Sequence, residues 1–77
     1  MKLNQNYYMK NNLVKYSANI HVPDTENQGN FEAKGTVRVK YSSDNELTEK
    51  VIAYIAEKEE CEEDEVTDLI INVIDEI

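Results

Sequence analysis

The last twelve residues are VTDLIINVIDEI (Val66–Ile77). Val66, Leu69, Ile70, Val73, Ile74 and Ile77 fall at i, i+3, i+4, i+7, i+8 and i+11, the repeat that lines one face of an α-helix. The spacing predicts an amphipathic helix running to the last residue. A second helical pattern precedes it. Ser43-Asp44-Asn45-Glu46 has the form of a capping box, in which the Ser43 hydroxyl accepts from the Glu46 amide and the Glu46 carboxylate reaches back. Leu47, Val51, Tyr54 and Ile55 then share a stripe, with Ile52 on its shoulder and Ala53 and Ala56 as good helix formers. No Gly or Pro interrupts residues 44–77, so a single continuous helix stays open. Such a helix would carry three turns, residues 56–65, anchored only by Cys61. A domain this small needs its second stripe folded back on the core, so a break near residues 59–62 is expected.

Upstream the period changes from 3.6 to two. Val14, Tyr16, Ala18, Ile20 and Val22 alternate with Lys15, Ser17, Asn19 and His21, and this is the pattern of a strand with one buried face. Phe31, Ala33, Val37, Val39 and Tyr41 alternate in the same way with Glu32, Lys34, Thr36, Arg38 and Lys40; Gly35 takes an apolar-side position and leaves room for a bulge or close packing. The segment PDTENQGN (23–30) between them is rich in turn formers. The two runs predict an antiparallel hairpin. Facing Val22 with Phe31 pairs Ile20 with Ala33, Ala18 with Gly35, Tyr16 with Val37 and Val14 with Val39, apolar on apolar throughout. In the N-terminal stretch Leu3, Tyr7 and Met9 fit either a short third strand turning at Lys10-Asn11-Asn12 or a loose tail.

These patterns give an α+β fold: an antiparallel hairpin or three-stranded sheet, packed on one face by two C-terminal helices. A single domain covers residues 1–77, with a strand or tail over 1–12, the hairpin over 13–42 and the helices over 43–77. The expected core is Val14, Tyr16, Ile20, Phe31, Val37, Val39, Leu47, Val51, Ile55, Val66, Leu69, Ile70, Val73 and Ile74. With one cysteine the chain cannot form an internal disulfide, and a reducing, cytoplasmic setting is expected. The longest aliphatic run is Leu69-Ile70-Ile71, too short for a signal peptide or a membrane span.

The charge is unevenly spread. Residues 1–42 hold six Lys/Arg against three acids, and residues 43–77 hold two Lys against thirteen acids, within a net charge of −8. The overall sign disfavours direct binding to nucleic acid or to an anionic membrane. The acids concentrate in EKEECEEDE (Glu57–Glu65), seven in nine positions. Glu62, Glu63, Asp64 and Glu65 in the first turn of a second helix would complement its positive end, whereas Glu59 and Glu60 at the end of the first would not. Calcium is not indicated, because an EF-hand loop needs ligands at alternate positions and a mid-loop Gly. Zinc asks for more Cys and His than Cys61 and a distant His21. Consecutive solvated carboxylates lack the facing geometry of an acid–base pair, and Cys61, ringed by acids, is a poor nucleophile. No enzyme activity, metal or cofactor is expected. A partner surface uses the whole feature: Glu57, Glu59, Glu60, Glu62, Glu63, Asp64, Glu65 and Asp68 form a dense negative field suited to a basic protein partner. Duplex DNA presents one charge per ~1.7 Å, so a run of this density also suits competition for a DNA-binding groove. The alternative surface is the polar side of the hairpin, with Lys15, Lys34, Arg38 and Lys40; no aromatic is interleaved there for base stacking.

The hairpin ending in GTVRVKY (Gly35–Tyr41), followed by an acid-rich half with EKEECEEDE, resembles in general character the small acidic proteins of phages and mobile elements. These include anti-CRISPR inhibitors that mimic DNA and block a Cas nuclease's recognition cleft. The resemblance implies a counter-defence inhibitor with a nucleic-acid-binding partner, and it assigns no individual residue. The expectation is thus a non-enzymatic acidic binding protein that occupies a basic, nucleic-acid-handling partner. Two other readings stay open: an accessory or oligomerisation module, including a homodimer, working through the hairpin edge, and nucleic-acid binding by the basic face.

Overall fold

The computed structural model describes residues 9–22 and 29–76. Its elements are β1 (Lys10–Val22), β2 (Gly29–Tyr41), α1 (Asp44–Glu59), a 3₁₀ turn (Glu63–Glu65) and β3 (Val66–Glu76). The sheet is three-stranded in the order β2-β1-β3, and β1 is antiparallel to both neighbours. β2 and β3 therefore run parallel on either side of β1, joined by α1 as the crossover of a split β-α-β unit. The fold is α+β as expected, with one helix among the described residues instead of two.

Residues 66–76 form the third strand, not a helix. Two bulges interrupt β3, and the first gives the step of three from Val66 to Leu69. Between the pairs Ser17–Ile70 and Asn19–Thr67, Ala18 alone faces both Asp68 and Leu69; between Leu13–Asp75 and Val14–Val73, Ile74 is the extra residue. Asp68 takes φ 53, and Asn19 Nδ2 donates to its carboxylate at 3.0 Å while Thr67 Oγ1 donates to the Asn19 carbonyl at 3.1 Å. The bulge resets the side-chain alternation, so Val66, Leu69 and Ile71 pack toward the core at steps of three and two. Ile70, Val73 and Ile74, expected inside, are exposed. Strand is also the better local choice for a segment dominated by Val, Ile and Thr, whose branched Cβ fits a pleated surface.

The hairpin forms, in a register two residues away from the expected one. Ile20 faces Phe31, Ala18 faces Ala33, Tyr16 faces Gly35 and Val14 faces Val37. A slip of two keeps every side chain on its face, and steric fit selects the observed pairing. A Cβ on Gly35 would lie 2.7 Å from the Tyr16 hydroxyl, so only glycine lets that ring lie across β2. The Tyr16 ring then meets Tyr54 of α1 edge-on, with centroids 6.0 Å apart. Lys10, Asn11 and Asn12 are not a turn but the start of β1. Asn12 is buried and donates from Nδ2 to the Tyr41 hydroxyl at 2.6 Å. The N-terminal strand or tail, with Leu3 and Tyr7, lies outside the described residues.

α1 begins where the capping pattern places it. Ser43 Oγ accepts from the Glu46 amide at 3.2 Å. The Glu46 carboxylate reaches one residue further back than expected, accepting from the Ser42 amide at 2.8 Å and the Ser42 hydroxyl at 2.7 Å. Those two bonds, with Lys50 adding to them, hold the Glu46 carboxyl below its usual range. Leu47, Val51 and Ile55 are buried against Val14, Tyr16, Ala18, Ile20, Ala33, Val39 and Tyr41 of the sheet, and Ala56 is buried as well. Phe31, another expected core residue, is exposed.

The break falls at residues 59–62 as expected. The Cys61 amide donates to the Ala56 carbonyl at 2.9 Å and the Glu60 amide to the Glu57 carbonyl at 3.3 Å, the bonding of a Schellman cap. Glu60 supplies the left-handed residue, at φ 60 and ψ 47, a conformation that costs a residue bearing Cβ roughly 1–2 kcal/mol. Its carboxylate also sits at the negative end of the helix. After allowance for glycine's greater freedom in the unfolded chain, Glu60→Gly is expected to stabilise the fold by about 0.5–1 kcal/mol. The urea midpoint should rise with an unchanged m-value; a fall would mean that this turn carries no strain.

Candidate functional site

The acidic residues gather where α1 hands over to β3. Glu57 and Glu59 occupy the last turn of α1, Glu60 is the cap, Glu62 lies in the connection, and Glu63, Asp64 and Glu65 form the 3₁₀ turn. Asp68 follows at the first bulge of β3. Glu57, Glu60, Glu62, Glu63, Asp64 and Asp68 are exposed; Glu59 and Glu65 are half-buried. The four acids from Glu62 to Glu65 do not cap a second helix. Instead Glu65 Oε1 accepts from the Glu62 amide at 2.9 Å, closing the short turn on itself.

This end of the molecule keeps its charge. The ion pairs among the described residues are Lys34–Glu32 at 3.6 Å and Lys50–Glu46 at 3.3 Å, and neither involves the eight acids. Lys58, the one cation within the run, lies with its ammonium 5.9 Å from the Tyr54 ring centroid. Tyr16 foremost, then Tyr54, with Glu59 adding, holds the Lys58 pKa above its ordinary value. Cys61 registers the local field as well. Burial first, then the carboxylates of Glu65, Glu59 and Glu62, pushes its thiol pKa up. The thiol is half-buried against the core and protonated at neutral pH, the opposite of what a nucleophile needs. No group of three or more His, Cys, Asp or Glu among the described residues is placed to hold a metal ion.

The basic residues occupy a different surface. Lys15 on β1 and Lys34, Arg38 and Lys40 on β2 alternate with inward residues and lie exposed on the sheet face opposite α1. A shallow depression of about 320 Å³ between Lys15, Ser17, Glu32, Lys34 and Asn72 marks this face, and the Lys34–Glu32 pair partly neutralises it. Tyr16 and Tyr41 point to the helix side, so on β1 and β2 no described aromatic is interleaved with these cations. His21 sits at the hairpin end, with Nδ1 3.2 Å from the Asn30 amide oxygen. The hairpin edge of the sequence reading is also revised: β3 covers the outer side of β1, which leaves β2 and β3 as the edges.

No family model, curated protein or solved structure matches the chain. Among the described residues no helix is long and apolar enough to cross a membrane. The site must be read from its own chemistry.

Proposed function

We propose that the chain is a non-enzymatic binding protein whose acidic end docks on a basic, nucleic-acid-handling protein and occupies the surface that would otherwise hold phosphates. The observation that supports this is the gathering of eight carboxylates, Glu57 to Asp68, at one α1–β3 junction with no ion-pair partner among the described residues. Holding like charges together disfavours folding, and the packing of α1 offsets that cost. The gain is a preformed anionic patch that steers encounter with a cationic groove. Inhibition of a nuclease by DNA mimicry, as in the anti-CRISPR proteins the chain resembles, is the specific form of this reading.

The test compares wild type with a variant in which Glu59, Glu60, Glu62, Glu63, Asp64 and Glu65 become amides. Both are used to capture partners from a lysate. The protein retained by wild type is then titrated with each form in competition with labelled DNA. At about 0.5–1 kcal/mol per desolvated charge, six neutralised acids should weaken binding at least ~100-fold and flatten its salt dependence. A control with Lys34, Arg38 and Lys40 changed to Gln should displace DNA as wild type does. Equal displacement by the amide variant, or loss in the control, would move the function to the sheet.

A further inference from the structure

We infer that the outer edge of β3 is a two-fold interface through which two copies of this chain form a six-stranded sheet. No described strand pairs with this edge. It also carries the most exposed large aliphatic side chains among the described residues: Ile70 is 58% exposed, and Val73 and Ile74 are each 50% exposed. Edge strands are ordinarily protected by charge, proline or brevity, and residues 69–74 of β3 have no charge and no proline.

The segment points to a second copy rather than to an unrelated strand, because it is nearly its own mirror. Residues 70–74 read I-I-N-V-I, symmetric about Asn72. An antiparallel pairing with Asn72 against Asn72 sets Ile70 opposite the second copy's Ile74 on one face. On the other face Ile71 lies opposite the second copy's Val73. A two-fold interface requires this reciprocity, since each residue must satisfy its counterpart twice.

Charge fixes the direction of the pairing. The acidic end lies at the start of β3, so an antiparallel dimer places the two acidic ends a strand length apart. Eleven residues at ~3.3 Å each give roughly 35 Å, several Debye lengths at physiological salt. A parallel pair would bring them together. The net charge of −8 still opposes association, and salt screens that repulsion. The bulge at Ile74 limits the ladder to about five residues. The buried area is accordingly small, at the low end for specific interfaces, which makes the dimer a concentration-dependent one. This interface is separate from the acidic end and leaves it free for a partner.

Analytical ultracentrifugation of the full chain over a concentration series, at about 50 and 500 mM salt, tests the inference. Mass should double with concentration and do so at lower concentration in high salt. Ile70→Lys combined with Ile74→Lys, both exposed, should abolish the dimer while leaving the circular dichroism unchanged. Should that variant fail to fold, Asn72→Cys in a Cys61→Ser background provides the second arm. Paired residues in an antiparallel ladder have Cα atoms ~4.5–5.5 Å apart, within disulfide range, so mild oxidation should cross-link two copies through position 72. Thr36→Cys on β2 should not cross-link. A monomer at every concentration, association that weakens with salt, open-ended oligomers, or cross-linking as efficient at position 36 as at position 72 would each overturn the interface.

Discussion

Ile55→Ala is expected to destabilise the fold by about 3 kcal/mol, within the roughly 2–5 kcal/mol seen for Ile→Ala in well-packed cores. Ile55 and Val51 are fully buried on α1, against the sheet face that α1 covers. The size of the effect follows from the architecture. α1 is the one helix among the described residues, and the β-strands beneath it are held in register by their own ladder, so little can collapse into the space that the lost side chain leaves. A domain of this length has a total stability of only about 4–11 kcal/mol, so one such change removes a large share of it. Thermal unfolding should show the midpoint fall by roughly 12–24 °C, at ~4–8 °C per kcal/mol for a domain of this size. A fall of under about 4 °C would mean that α1 packs on the sheet more loosely than its buried stripe implies.

How far the sequence could be read depended on which physical signal each segment carried. The alternation of Val14 to Val22 and of Phe31 to Tyr41 fixed strands and faces, because burial is decided by period two alone. It could not fix register, since a slip of two residues leaves apolar opposite apolar. The deciding signal was steric: Tyr16 needs a partner without a side chain, and Gly35 is the glycine inside β2, Gly29 lying at its first position opposite Val22. Ser43 and Glu46 announced the helix start because a cap is a local interaction needing no tertiary context. The acidic end was legible for a similar reason: seven carboxylates in nine residues must stay in water whatever the fold. What composition could not supply was its geometry, with the charges placed on a reversal between helix and strand instead of along a second helix.

The largest misreading, VTDLIINVIDEI, leads to a test in which the helix and the strand make opposite forecasts. On a helix, Ile70 belongs to the apolar stripe and Ile71 does not. In β3, Ile71 faces Tyr16 and packs on the core, whereas Ile70 points away from α1. Ile71→Asp is therefore expected to cost about 2–4 kcal/mol, because it replaces a side chain packed on the core with a carboxylate beside the buried Tyr16. Ile70→Asp should stay within about 0.5 kcal/mol when measured at concentrations where the chain is monomeric. Urea unfolding of the two variants reads the difference directly. The bulge at Asp68 explains why adjacent isoleucines should differ so much. By adding one residue opposite Ala18 it shifts the alternation after Val66, sending odd-numbered residues inward where even ones would otherwise go. If Ile70→Asp proved the costlier change, the phase of β3 beyond Asp68 would be the reverse of the one described, and the apolar edge centred on Asn72 would go with it.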